Sequence, residues 1–135
     1  MRTPMRFILV LVATLGLLWA GSVPVQAVVA VSIKPRATLV ADGAVSAVVV
    51  VSCDRGDQVL EAHLSVSQDD QTISGQAGIP VRCDGKSRKY RVTVTPLDGA
   101  FHAGNAFASA FVLTCADPMC GTTEQGQAAR TIRVR

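Results

Sequence analysis

Aromatic residues are scarce in this chain, with one tryptophan, one tyrosine and four phenylalanines in 135 residues. Phe7 and Trp19 fall in an N-terminal apolar run, so the remainder holds only Tyr90, Phe101, Phe107 and Phe111. A core built beyond that run has to rest on aliphatic side chains. An excess of one charge is missing as well. Thirteen basic residues stand against ten acidic ones, and without Arg2 and Arg6 the balance is eleven to ten, a net of +1. Nucleic-acid binding needs a basic stripe with aromatic platforms. Lys86, Arg88, Lys89 and Arg91 form only a local cluster that reads as a solvated turn and strand face. Histidine is limited to His63 and His102, and neither sits in a Gly-x-Ser-x-Gly, His-Glu-x-x-His or paired-histidine pattern. An enzyme is therefore not expected, and neither is a cofactor or a metal. Helical periodicity is absent, and beyond residue 27 no run is long and apolar enough to span a bilayer.

Arg2 and Arg6 precede an uncharged apolar run from Phe7 to Ala20, and Val25-Gln26-Ala27 supplies the small residues of a cleavage site. This is the pattern of an export signal. Residues 1–27 are expected to be removed, leaving 135 − 27 = 108 residues, 28–135, as one secreted, extracellular, monomeric domain. No cysteine stands at the cut to carry a lipid anchor, so no membrane partner is expected after cleavage.

Four cysteines in a short exported chain read as two disulfides, where in a reducing compartment they would suggest a metal. Three pairings are possible. Cys53 with Cys83 and Cys115 with Cys120 is favoured, because only four residues separate the second pair and a local loop can close there. In the chain-entropy picture the long loop contributes about 3.7 kcal/mol and the short one about 2.

Val45 to Cys53 combines more β-branched residues with a covalent anchor than any other stretch and reads as a central strand. An extended piece from Val28 to Ile33, bent at Lys34-Pro35 and continued by Ala37 to Ala41, leads into it through the hairpin signal Asp42-Gly43. Leu60, Ala62, Leu64 and Val66 alternate with polar residues, as do Tyr90, Val92 and Val94, which predicts two strands with one face in the core. Short strands are expected at Thr72 to Gln76 and Ile79 to Cys83. A long one carries Phe107, Ser109, Phe111, Leu113 and Cys115 on one parity, and Ala129 to Arg135 closes the chain. Many short strands joined by glycine and aspartate turns predict an all-β fold, an immunoglobulin-like antiparallel β-sandwich of about seven strands with two disulfides. The buried tryptophan of true immunoglobulin domains is missing, because Trp19 leaves with the signal.

Several short patterns resemble functional motifs, and each has a simpler reading. Arg55-Gly56-Asp57 is the tripeptide that integrins read on a turn, but all three are ordinary turn residues. His63 lies on the polar parity of its strand and is expected to face solvent, while His102 sits in a loop beside Phe101. Cys115, Met119 and Cys120 offer soft-metal ligands, although an oxidising compartment makes them a disulfide with Met119 displayed beside it. Asp69, Asp70, Asp84 and Asp98 have no calcium-loop spacing and read as solvated turns.

The valine-rich strand ending in Cys53, Gln68 after the next strand, Arg82-Cys83-Asp84-Gly85 and Gly99-Ala100-Phe101-His102-Ala103-Gly104 together resemble small secreted actinobacterial proteins whose domain has no assigned function. That resemblance covers most of the chain beyond the signal and implies a bacterial exported β protein. Cys115-Ala-Asp-Pro-Met-Cys120, a glycine-containing loop and a terminal strand look like the second disulfide and final hairpin of the neocarzinostatin-type apoproteins, and Pro35 with Asp42-Gly43 looks like their opening. Those are secreted seven-stranded sandwiches carrying a chromophore in a cleft. Their other disulfide closes a short loop, whereas Cys53 and Cys83 are thirty residues apart.

The expected function is a non-enzymatic binding or interaction module that meets an extracellular protein through its loops, Phe101, His102 and Met119 among their residues. The alternative is a carrier of a small apolar ligand, for which Phe101, Phe107, Phe111 and Leu113 would line a cleft instead of filling the core. Display of Met119 on a cross-linked loop also fits a protease inhibitor.

Overall fold

The computed structural model describes residues 29–135; the expected export signal lies outside them. Eight strands account for most of these residues: β1 (Ala30–Ile33), β2 (Arg36–Leu39), β3 (Val45–Ser52), β4 (Gln58–Gln68), β5 (Ile73–Gly78), β6 (Arg88–Val94), β7 (Gly104–Cys115) and β8 (Thr123–Val134). No α-helix occurs among them, and only the turn Ala41–Gly43 is helical, of the 3-10 type. The expected first strand is two strands because Pro35 interrupts it. Ile79–Cys83 is not a strand. Its backbone is held by Ile79 N–H on Ala62 O (3.0 Å), Arg82 N–H on the Tyr90 hydroxyl (2.9 Å) and Gly85 N–H on Cys53 O (2.9 Å).

The strands form one hydrogen-bonded path, β1-β3-β2-β8-β7-β4-β5, with β6 on the far side of β3. All pairings are antiparallel except β2 with β8, where Arg36 and Ala37 run parallel to Arg133 and Val134. β2 pairs with β3 on one side and β8 on the other, so it joins β1, β3 and β6 to β8, β7, β4 and β5. Alternate side chains of both groups of strands belong to a single core cluster. Val45, Ala47, Val49 and Val51 of β3 and Val92 and Val94 of β6 meet Leu64 and Val66 of β4, Ala106, Ala108, Ala110 and Val112 of β7, and Ile132 and Val134 of β8.

Two expectations about facing change with this register. Leu60 is exposed, because the β4 ladder slips between Val59 and Glu61 and the bulge turns it outward. In β7 the buried parity is the alanine one, while Phe107 and Phe111 lie on the opposite face. The valines of β3 already fill the interior, and the strand across from them contributes small side chains.

Both disulfides form as paired from sequence, Cys53 with Cys83 and Cys115 with Cys120, and no described cysteine is free. The first ties the end of β3 to the irregular segment before β6. The second closes the turn between β7 and β8.

Backbones approach closely where glycine permits it. A Cβ on Gly75 would stand 2.3 Å from Thr95 O, and one on Gly126 would stand 2.4 Å from Val29 O. Gly126→Ala is expected to push β1 off β8 and lower the unfolding free energy by on the order of 2 kcal/mol, as read by urea unfolding of the oxidised protein. Replacing the Cys53 and Cys83 pair by alanine is expected to cost more stability than replacing the Cys115 and Cys120 pair, about 3.7 against about 2 kcal/mol.

Candidate functional site

Period-two alternation places the residues between the core positions of β4, β5, β7 and β8 on one outer face. Across β4 and β7 the register sets His63 beside Phe111, Ser65 beside Ser109 and Ser67 beside Phe107. Phe107 is 52% exposed, where the other described aromatics, Tyr90, Phe101 and Phe111, are buried or half-buried. The His63 and Phe111 rings sit 5.6 Å apart and tilted by 34°. His63 is half-buried rather than solvent-facing, and its Nδ1 lies 3.1 Å from a Glu61 carboxylate oxygen without the alignment of a hydrogen bond.

Serines and alanines floor the space around these rings. Three shallow grooves of about 460, 370 and 350 Å³ lie along the face. Ser109 borders the first and third, and Ser67, Gln71 and Phe107 border the second and third, so they join into one trough running past both phenylalanines. Its lining is hydroxyl, amide and aromatic, with Asp69 and Asp70 at the loop end.

The loop end is built around Gln68, a polar residue on the inward parity of β4 and only 3% exposed. Its amide nitrogen donates to His102 O (2.8 Å) and Asn105 O (3.3 Å), and its amide oxygen accepts from His102 N–H (2.9 Å). This clamp joins the β4–β5 hairpin to the segment preceding β7. Asp69 adds a second tie, its carboxylate 2.9 Å from His102 Nε2, while His102 Nδ1 lies 3.0 Å from Ala103 O. The hairpin needs such support. Asp69, Asp70 and Gln71 all have left-handed backbones, with φ of 52°, 54° and 68°, at a cost on the order of 1 kcal/mol each for residues with side chains. The carbonyl of Ala103 and then the Asp69 carboxylate hold the His102 imidazolium, raising its pKa above the ordinary 6.5.

No family model, curated protein or solved structure matches the chain.

The remaining candidates lie apart from the trough. Phe101 is buried in the core, with its N–H on Gly43 O (2.9 Å). Met119 is 90% exposed, in the turn closed by Cys115 and Cys120. There Asp117 accepts the N–H groups of Met119, Gly121 and Thr122 at 3.0 to 3.1 Å, folding the backbone inward. Arg55-Gly56-Asp57 is on the β3–β4 turn, where Asp57 is half-buried and Asp57 N–H bonds Asp54 O (3.1 Å). Burial, and after it the neighbouring Asp54 carboxylate, raise the Asp57 pKa. Arg88 holds the carboxyl of Asp84 below the usual range through a hydrogen bond. Among the described residues no three histidine, cysteine, aspartate or glutamate side chains gather as metal ligands, and no helix is long and apolar enough to cross a membrane.

Sequence reasoning placed Phe107 and Phe111 among the candidates and passed over Gln68 as a structural clamp. The signal for the latter was its parity, since an amide that continues the Leu64, Val66 series has to find partners in the core.

Gln68→Leu leaves the N–H and C=O of His102 unpaired and is expected to cost about 1–3 kcal/mol, measured by thermal or urea unfolding. The His102 tie is complete below about pH 6.5 and is lost as pH rises through the raised folded-state value, since protonation is what the carbonyl and carboxylate reward. An NMR titration should find His102 above 6.5 in the native protein and lower in Asp69→Asn.

Proposed function

We propose that this chain is a secreted, non-enzymatic binding module, an immunoglobulin-like sandwich whose ligand is a small apolar molecule held on the outer face of β5, β4, β7 and β8. The observation that carries this reading is the placement of Phe107 and Phe111 on that face, over a floor of serine and alanine. In an interaction module of the loop-presenting kind these rings would fill the core. Here the core is complete without them, and Phe107, half exposed, is left for a ligand to cover. A trough with aromatic walls and hydroxyl and amide groups fits a flat, largely apolar ligand with a few polar substituents.

The sandwich reading draws support from the core that the two groups of strands joined by β2 share. Export draws support from the two disulfides, which persist in oxidising compartments. The resemblance of the Cys115 to Cys120 hairpin to the neocarzinostatin type points toward the same ligand class. The protease-inhibitor alternative has less support. An inhibitory loop presents extended backbone to its enzyme, and the Met119 N–H is already turned inward onto Asp117.

Phe101 cannot report on ligand binding, because its substitution would open the core. Phe107 can. A fluorescent apolar probe should bind the oxidised protein saturably, with affinity reduced about ten-fold by Phe107→Ala and unchanged by Met119→Ala. Non-saturable uptake, or equal binding by the Phe107→Ala protein, would reject the carrier reading and return the protein to a loop-mediated interaction module.

A further inference from the structure

Four strand edges of the described sheet meet solvent, and three of them are blunted. β1 is only four residues long and ends beside Pro35. β6 lines its edge with exposed Arg88, Lys89 and Arg91. β5 is capped by Pro96 and Leu97, with a bridge from Gly75 to Pro96 and Leu97 N–H on Ser74 O (2.8 Å). Short length, charge and proline are the devices by which sheets avoid pairing with other chains.

The β8 edge is twelve residues long and free of proline, and between Thr123 and Thr131 its only charges are one Glu124 and one Arg130. β2 pairs only with its C-terminal end, at Arg133 and Val134, while β1 packs on its inner side, with Val29 against Gly126 and Ile33 O accepting from Arg130. On the β2 side Arg133 donates its N–H to Pro35 O (2.8 Å), while Glu124 turns its carbonyl toward Thr114 of β7. By the two-residue alternation, the N–H and C=O groups of Thr123, Gln125, Gln127, Ala129 and Thr131 point away from β7 to the open edge. All five residues are exposed. The segment has no proline or lysine, and its register with β7 runs without a bulge.

We propose that the occupant of this edge is the β8 edge of a second copy of the chain, paired antiparallel about a two-fold axis at Gln127. The choice of partner follows from charge. Glu124 and Arg130 have no oppositely charged partner among the described residues. Burial, and after it the nearby Asp57 and Asp54 carboxylates, raise the Glu124 pKa, and Arg130 reaches only Ile33 O (3.1 Å) and Thr131 O (3.4 Å). Six residues apart on one extended strand, they cannot reach each other within a chain.

Pairing about Gln127 sets Glu124 of each copy opposite Arg130 of the other. The same register opposes Gly126 with Ala128, Gln125 with Ala129 and Thr123 with Thr131, so no like charges meet and the covered side is small. A slip of two residues would put Glu124 opposite Ala128 or Ile132. An isologous contact of this kind closes on itself and ends as a dimer. It would also join the two outer faces into one continuous surface. From sequence alone the expectation is a monomer, since edge exposure is invisible there.

Sedimentation velocity of the oxidised protein across micromolar to millimolar concentration should show a reversible dimer. Gln127→Pro removes an N–H that no intrachain bond uses, so it should abolish the dimer while leaving the unfolding midpoint nearly unchanged. Glu124→Arg or Arg130→Glu alone should each weaken association about ten-fold by placing like charges opposite at both ends, and the two together should restore it. A protein that stays monomeric throughout, or a dimer untouched by the single charge reversals, would overturn the proposal. Should the proline variant fail to fold, the charge exchange decides the matter.

Discussion

No other strand gives the interior as many valines as β3 does. Val45, Ala47, Val49 and Val51 of β3 are each at most 1% exposed, and the other strands are sized to them. Aliphatic burial of this kind is the main hydrophobic term available to a chain with so few aromatics. Once that volume is taken, the facing parity of β7 can hold only Ala106, Ala108 and Ala110 before Val112. Close packing leaves no room for larger side chains there. The phenylalanines of β7 are consequently displaced to the outer face, and the candidate site follows from the packing of the core.

The same economy explains the cross-links. A domain of this size has a modest core, and the irregular segment from Ile79 to Gly85 lies outside the strand ladders. Cys83 anchors that segment to Cys53 at the end of β3, and Tyr90 bonds its backbone from β6. The β7–β8 turn is held in a similar way, by a disulfide and the Asp117 carboxylate together. Rigid turns keep β7 and β8 in register over twelve residues, and this long flat pair forms half of the trough and the open edge beside it.

The trough and the β4–β5 hairpin also depend on one another. Gln68 and Asp69 hold three successive left-handed residues in place, and those residues shape the end of the trough next to Phe107. A side chain that satisfies buried backbone groups thereby sets the contour of an exposed surface. The strain is tolerated because the clamp is made at both ends of the amide.

Local chemistry was legible in the letters. The all-β class, the Val45–Ser52 strand, the turn at Asp42-Gly43 and the pairing of Cys115 with Cys120 follow from β-propensity, turn residues and loop length, which act over a few positions. Tertiary structure alone decided which parity of β7 faces the core, because alternation identifies two faces without saying which is inside, and both parities of that strand carry apolar residues. It likewise decided that the bulge at Val59 and Glu61 exposes Leu60, that Gln68 serves as a clamp, and that β8 keeps a free edge. Each of these depends on which strand lies alongside which, a property of pairing between distant segments that no short stretch of sequence contains.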